Sequence, residues 1–453
     1  MTMRINHYLI MPYLPARVKY DIITVMIYLD HAAATPVIPQ ALEAMRPFWS
    51  DQFFNPSSPY LPAKRVRETY EDYKNRLAHL IGAKGNDLII TSGATEANNL
   101  AFTATIAGCT SCPLESTKIL VLATEHDSVF AAAEAAKNRL ESTNRATEVE
   151  TVRVDQYGRI DLTDFRNKLD KNVIFVSVAL VNGELGTIQP LSEIAEIIKV
   201  ERLRRLENGE TLPLVLHSDA SQALNLLSIS ISRLGVDLLT LNSAKVGGPK
   251  GVGALYVGHG IKLQPLTYGG GQERGLRAGT ENVAGLTGFT IAAEELQKHL
   301  NANRKKYAEF TQALRTELLK SPVKPLFLGV KNREDEKTGA PKLPKPSDHQ
   351  LANFCPVSFP GIDAERLIYL LEDPAIFAND VSAEPVYVST GAACAASKGE
   401  KSKTLQAIGL SDTEIAGSLR ISFGSTNTLE GIKEAGQLIV QAVTHEWERI
   451  QNV

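Results

Sequence analysis

Thr240-Leu-Asn-Ser-Ala-Lys-Val-Gly-Gly-Pro-Lys-Gly251 joins an apolar strand, Asp237 to Leu241, to a loop of small residues that carries two lysines. Small residues let a backbone come close to a ligand. Lys245 stands four residues beyond Leu241. An amine that is to form an imine must lie near the sheet edge, desolvated enough to be neutral, and Lys245 fits. Lys250 follows Pro249 and reads as a turn residue. A solvated lysine is the default reading of either position when the segment stands alone.

Working outward, Leu216-His-Ser-Asp-Ala-Ser-Gln222 places Asp219 just past an apolar strand read as Leu212 to Leu216. In an open parallel sheet that edge is where ligands bind. A pyridine ring needs an anion near its nitrogen to stay protonated and draw electrons. Asp219 also suits the cap of a following helix. Further back, Thr91-Ser-Gly-Ala-Thr-Glu96 follows a strand and opens a helix. Helix N-terminal N–H groups and the Thr95 hydroxyl make an anion site, and Thr95 serves equally as a plain N-cap. Asp219 lies 125 residues after Ala94, and Lys245 lies 26 after Asp219.

The rest of the chain alternates strand and helix. Asp87–Thr91, Lys118–Ala123, Val173–Val181 and Ala254–Val257 read as further strands. Thr95–Ile106, Ser128–Leu140 and Leu191–Leu206 read as helices. Such alternation predicts an α/β fold with a mainly parallel sheet flanked by helices. Beyond about Gly285 the texture changes to one or two long helices over Phe289–Leu319, a polar Lys- and Pro-rich stretch over 332–350, and short strands and helices after it. We expect a large domain over 46–289 and a smaller α+β domain from 26–45 with 290–453. The 332–350 stretch reads as a solvated insertion or loop.

Formal net charge is −3, from 48 basic and 51 acidic residues, so no basic excess points to nucleic acid or a membrane surface. No apolar run reaches the roughly 20 residues of a membrane helix. The cysteines are Cys109, Cys112, Cys355 and Cys394. They are too few for a disulfide framework, which favours a reducing, intracellular setting. Cys109-Thr-Ser-Cys112 lacks a second ligand pair for zinc and reads as incidental thiols. Cys355 reads as core. Residues 1–25 show no clear signal-peptide pattern, and we read them as an extension before a start at Met26.

Four segments resemble the cysteine desulfurase branch of the aspartate-aminotransferase-like, pyridoxal-phosphate (PLP) enzymes. They are Tyr28-Leu-Asp-His-Ala-Ala-Ala-Thr-Pro36, Thr91-Ser-Gly-Ala-Thr-Glu-Ala-Asn-Asn-Leu100, Thr124-Glu-His126 and Gly269-Gly-Gly-Gln-Glu-Arg-Gly-Leu-Arg-Ala-Gly-Thr280. The resemblance runs from about Ile27 to Val443. It implies that PLP is carried on Lys245. Ala94 and Thr95 would meet its phosphate, His126 would stack on its ring and move protons, and Asp219 and Gln222 would face its ring nitrogen and phenolic oxygen. Asn182 and Asn242 fall at cofactor positions. Thr280 would reach the phosphate of a neighbouring subunit, which implies a homodimer. Arg420 would hold the substrate carboxylate, with Asn55 beside the substrate. Cys394, in Ser389-Thr-Gly-Ala-Ala-Cys-Ala-Ala-Ser397, would be the nucleophile that takes sulfur from L-cysteine. A sulfur-acceptor protein such as an iron–sulfur scaffold would then collect it, in the cytoplasm.

Departures accompany the resemblance. Ala244 replaces a histidine that helps hold the phosphate, and Gly183 replaces an asparagine that meets the phenolic oxygen. Leu61 stands in a histidine's place and Ser425 in an arginine's. One lost phosphate contact weakens binding by roughly 5- to 150-fold. Two other readings therefore stand beside desulfuration: another lyase or aminotransferase of the same branch, and a catalytically weak scaffold with a PLP-enzyme fold.

Overall fold

After a short strand β1 (Ile27–Tyr28), the chain builds one sheet from β2 (Leu88–Thr91), β3 (Ser116–Leu122), β4 (Ala146–Val152), β5 (Val173–Ser177), β6 (Val215–Asp219), β7 (Leu238–Asn242) and β8 (Gly253–Val257). The computed structural model describes residues 26–108, 116–143, 145–334, 341–344, 348–378, 383–391 and 401–452. The 1–25 extension, Cys109, Cys112 and Cys394 lie outside the described residues.

The strand order is β2-β8-β7-β6-β5-β3-β4. The four pairs from β7 across to β4 are parallel, while β8 runs antiparallel to both its neighbours. The expected mainly parallel sheet is therefore present. Helices α1 (Pro39–Met45), α2 (Leu61–His79), α3 (Ala94–Gly108), α4 (Asp127–Glu141), α5 (Leu191–Glu207) and α6 (Val283–Lys298) flank it.

Strand side chains alternate between faces, and here both faces are covered. Val176, Leu216, Leu239 and Leu241 join a core with Leu77 of α2, Ile194 of α5 and Phe289 of α6. Phe175, Val215 and Leu238 join the opposite core, with Phe102 of α3 and Val129 of α4. Burial on both sides explains why these strands read as continuous apolar runs.

Beyond the sheet come α7 (Leu300–Leu318), β9 (Leu326–Phe327), β10 (Arg333–Glu334), β11 (Pro341–Lys342), β12 (Val357–Ser358), α8 (Ala364–Glu372), β13 (Val386–Tyr387), β14 (Ser389–Thr390), β15 (Ser418–Arg420) and α9 (Leu429–Gln451). A second sheet, entirely antiparallel, has the order β14-β15-β12-β9. Helix α9 packs on both α7 and α8. β1 pairs in parallel with β13, so the first described residues join the last third of the chain.

Four sequence expectations shift. β6 starts three residues later than read and continues through His217 and Ser218, so Asp219 is its last residue rather than a residue past its end. The apolar run stops at Leu216, but His217 stays buried because its two ring nitrogens have hydroxyl partners. β5 ends at Ser177, yet the Val178 and Leu180 amides still donate to the His217 and Asp219 carbonyls. The long helical stretch begins earlier, at Val283, where the Asn282 side chain accepts from the Gly285 amide, and it breaks at His299. The 332–350 stretch is not wholly solvated. β10 and β11 pair, and Gln350 is buried with its amide donating to the Leu185 and Leu328 carbonyls. Edge strand β4 escaped the sequence reading because Glu148 and Glu150 break its apolar pattern. Cys355 is buried as read.

Among the described residues, no helix is long and apolar enough to cross a membrane.

Candidate active site

The C-terminal ends of β6 and β7 and the turns after β2, β3 and β5 bring most of the singled-out residues to one place. Asp219, buried at the end of β6, accepts from the Asn98 side chain at 2.9 Å and from the Ser221 amide at 2.9 Å. Three residues on, Gln222 donates its amide to the Ala32 carbonyl at 2.9 Å. Lys245 closes a single 3-10 turn after β7, where the Asn242 side chain accepts from the Ala244 amide at 3.3 Å. Its Nζ donates to the same Ala32 carbonyl at 2.9 Å and to that of Ala33 at 2.5 Å. Two donors more than twenty residues apart in sequence thus meet on one oxygen.

That oxygen belongs to the turn after β1. The Ala32 amide donates to Ser422 Oγ at 2.9 Å, and the Thr35 amide and hydroxyl both donate to the Ala244 carbonyl at 3.0 Å. The turn in Tyr28–Pro36 is therefore built into the lysine loop.

His126 caps α4, and its Nδ1 accepts from the Ser128 amide at 3.0 Å. An accepting Nδ1 places the ring proton on Nε2. Ser128 Oγ lies 2.9 Å from the same Nδ1 and accepts from Asn98 Nδ2 at 3.0 Å. The two amide protons of Asn98 are thus divided between Asp219 and the Ser128–His126 pair. Sequence reasoning missed Asn98. Its one signal was position: it lies one helical turn after Ala94 on α3, facing the sheet.

Asn182 is buried. Its amide donates to the Thr124 carbonyl at 2.9 Å and accepts from the Glu184 and Leu185 amides at 2.9 and 2.7 Å. Both ends of the amide thus have backbone partners, and they hold the Thr124–His126 turn against the turn after Val181. A Cβ on Gly183 would lie 3.6 Å from Gln222 Nε2, in ordinary van der Waals contact. This position therefore faces Gln222.

Arg420, at the end of β15, is nearly buried. Its Nη2 pairs with Asp30 Oδ1 at 2.8 Å, Nη1 donates to the Gly183 carbonyl at 3.4 Å, and Nε has no acceptor among the described residues. Beside it, Glu184 accepts from Ser402 Oγ at 2.6 Å, and burial pushes its carboxyl above the usual range. Lys403 pairs with Asp127 at 3.1 Å, next to His126. The chain returning from the segment that contains Cys394 is thereby fastened to this site.

Ala94 and Thr95 open α3, and Thr95 is exposed. The turn before them depends on glycine: Gly93 has φ 151°, and a Cβ on Gly253 would lie 2.7 Å from the Gly93 carbonyl carbon. Asn55 is exposed, and its Oδ1 accepts from the Ser57 amide at 2.9 Å. Thr280 is exposed too. It ends a loop anchored by Glu273, whose carboxylate is buried against Lys74 Nζ at 2.7 Å, Tyr70 Oη at 2.6 Å and the Ile90 amide at 2.9 Å.

Behind the site, Ser177 Oγ donates to Glu125 Oε1 at 3.0 Å and lies 2.9 Å from His217 Nδ1. His217 Nε2 lies 3.1 Å from Thr240 Oγ1. Burial and the nearby Asp219 charge raise the Glu125 carboxyl to about 8, and burial lowers His217 to about 4.

The donors present fit a PLP molecule. A fixed carboxylate, a lysine and an amide converge on one sheet edge, next to a helix start with room above its glycine turn. Gln222 Oε1 is buried and has no partner among the described residues. These features suit a pyridine ring bearing a phosphate and an aldehyde.

A family model described as Aminotransferase class-V matches residues 27–434. The curated protein "Cysteine desulfurase IscS 1" of Archaeoglobus fulgidus is 35% identical over 407 residues, covering 90% of this chain and 94% of its own. A solved NifS-like protein superposes with a TM-score of 0.76 at 27% identity, covering 93% of this chain and 100% of its own. A second solved structure, described as SspA in complex with cysteine, gives a TM-score of 0.64 at 27% identity over 87% of this chain and 98% of its own.

Proposed function

The chain belongs to the aminotransferase class-V family, and from that membership and the site we propose that it is a PLP-dependent cysteine desulfurase. The observation that carries the reading is the convergence of Lys245 and Gln222 on the Ala32 carbonyl, beside the anchored carboxylate of Asp219. Lys245 would hold the cofactor. Asp219 would face its ring nitrogen and Gln222 its phenolic oxygen, with His126 against the ring. Ala94, Thr95 and Asn242 would meet its phosphate side, joined by Thr280 of a second copy in a homodimer. When bound, PLP supplies the electron sink that stabilises negative charge at the substrate α-carbon.

Arg420 is suited to a carboxylate, since a guanidinium presents paired donors. Its buried Nε lacks an acceptor among the described residues, and Asp30 fixes its orientation. Lys245 would take the α-proton. Cys394 thiolate attacks the sulfur of L-cysteine. A bond forms between the two sulfurs as the substrate's carbon–sulfur bond breaks. The bonding pair goes to the β-carbon, which takes a proton, and the α-carbon regains the proton held by Lys245, leaving alanine and a persulfide on Cys394. A sulfur-acceptor protein, such as an iron–sulfur scaffold, would collect that sulfur in the cytoplasm.

The test is the visible absorbance of the purified protein together with alanine and sulfide release from L-cysteine under a thiol reductant. Cys394→Ser should keep the absorbance and lose sulfide release. Lys245→Ala should lose both. Sulfide release that persists in Cys394→Ser overturns the nucleophile, and amino transfer to a keto acid in place of sulfide release overturns the desulfurase reading.

A further inference from the structure

Four side chains behind the site form a continuous buried line. Ser177 pairs with His217 across β5 and β6, and Asp219 pairs with Thr240 across β6 and β7. His217 and Asp219 are two residues apart on one strand, so they face the same way. Phe102 and Phe175 pack at 6.0 Å from the His217 ring and close the line from below. Glu125 sits at its far end, immediately before His126. None of these four groups has a part in the chemistry described above.

The line is polar along its whole length yet carries little charge. Ser177, His217 and Thr240 are fully buried. An ionised carboxylate in such a place costs far more than a neutral acid unless a cation meets it. No cation does. Asp219, an anion, acts on Glu125, while His217, on the other side of Ser177, is kept neutral by burial. β5 offers the Ser177 hydroxyl and α3 offers Asn98, which serves Asp219. The turn after Val181 offers only Asn182, through Thr124. Two carboxyl groups near each other in low dielectric do not both ionise readily. Burial first, and the Asp219 charge second, outweigh the Ser177 hydroxyl and the Ala179 and His126 amides, which favour the ionised form, so Glu125 keeps the proton.

We propose that Glu125, Ser177, His217 and Thr240 are positioning residues that store a proton at Glu125 behind Asp219, so that Asp219 alone presents a carboxylate charge to the cofactor ring nitrogen. Each heteroatom in the line can donate or accept, so the line accommodates either protonation state of Glu125 by reversing its sense. At alkaline pH Glu125 gives its proton to hydroxide, and a second carboxylate then stands beside Asp219. Only the placement of the ring rests on the desulfurase reading; the stored proton does not.

Infrared spectra of the full-length protein test this directly. Between about pH 6 and about pH 10, wild type should lose a protonated-carboxyl band that Glu125→Gln lacks. Ser177→Ala removes a hydrogen bond that favours the ionised form. Its band should persist to higher pH, with the ionisation constant lowered roughly threefold or more. The alkaline limb of the kcat profile should move in the same direction in Ser177→Ala and disappear in Glu125→Gln. An identical band in wild type and Glu125→Gln overturns the proposal. Where Glu125→Gln does not fold, an unmoved band in Ser177→Ala overturns it instead. Sulfide release without the band sinks the stored proton and leaves the desulfurase reading intact. The band without sulfide release does the reverse.

Discussion

Arg420 and Asp30, 390 residues apart in sequence, form an ion pair of 2.8 Å at the meeting of β15 and the turn after β1. The guanidinium is thereby aimed before any substrate arrives. Removing the charge at Asp30 should free Arg420 without unfolding the site. Asp30→Asn should raise KM for L-cysteine roughly tenfold, the equivalent of about 1.4 kcal/mol, and leave the visible absorbance of bound PLP unchanged. Steady-state kinetics beside an absorption spectrum check this. An unchanged KM would mean that Asp30 does not orient Arg420.

Gly183 leaves open a position that faces the Gln222 amide at van der Waals distance. Its φ is not in the left-handed region, so a side chain is tolerated there. Gly183→Asn should add one polar contact near the cofactor's phenolic oxygen and tighten PLP binding by about 1 kcal/mol, roughly fivefold. Titration of the protein with PLP, followed by absorbance, reads this. Weaker binding would place position 183 outside the cofactor's reach.

His31 is buried beneath Gly424, and burial holds it down at about 4. In the unfolded chain it titrates near 6.5. Its folded value is depressed, so the unfolded state binds the extra proton between those values. The stability it contributes is complete above about pH 6.5 and is lost as pH falls towards about 4. His217, also held at about 4, acts the same way. Each should cost about 2 kcal/mol of stability at about pH 4.5 relative to about pH 7. Urea unfolding of wild type and His31→Gln at the two pH values isolates the His31 share. An equal acid loss in both proteins would show that His31 is not its source.

Lys74 and Glu273 pair at 2.7 Å with both side chains almost fully buried. Glu273 and the next residue, Arg274, have φ 46° and 60°, a backbone region that disfavours side chains. The pair holds this turn and, with it, the loop that ends at Thr280. Lys74→Met would leave a buried carboxylate uncompensated and should destabilise the protein by roughly 3–5 kcal/mol. The double variant Lys74→Met/Glu273→Gln should lose less than the sum of the single losses, because neither charge remains. Denaturant midpoints of the three variants decide it, and additive losses would argue against coupling.

The fold was legible wherever a strand is buried on both faces. β2, β3, β7 and β8 were read to within two residues because their apolar runs end at polar turns. β6 was misplaced because His217 and Ser218 look like strand-ending residues. His217 is buried because partners on β5 and β7 satisfy its ring, and sequence order does not display those partners. β4 was missed for the converse reason: an edge strand need bury only alternate residues. At the site, Asp219 and Lys245 were singled out from their own segments, and Gln222 and Arg420 through the family resemblance. Asn98, Ser128 and Ser177 were not, since each acts through another side chain. Asn182 shows a related limit. Its residue type suggests a ligand contact, whereas its amide bonds to three backbone groups.

Lys245 and Gln222 depend on an acceptor that every amino acid possesses. The Ala32 and Ala33 carbonyls belong to the backbone, so replacing either alanine with another small residue should leave this hold intact. The hold is encoded instead in backbone path, set by Ser422 beneath Ala32 and Thr35 against Ala244. Mutational robustness at Ala32 and Ala33 would therefore coexist with sensitivity at two side-chain anchors, Ser422 and Thr35, and sequence drift could pass through the two alanines while the lysine's geometry stayed constant.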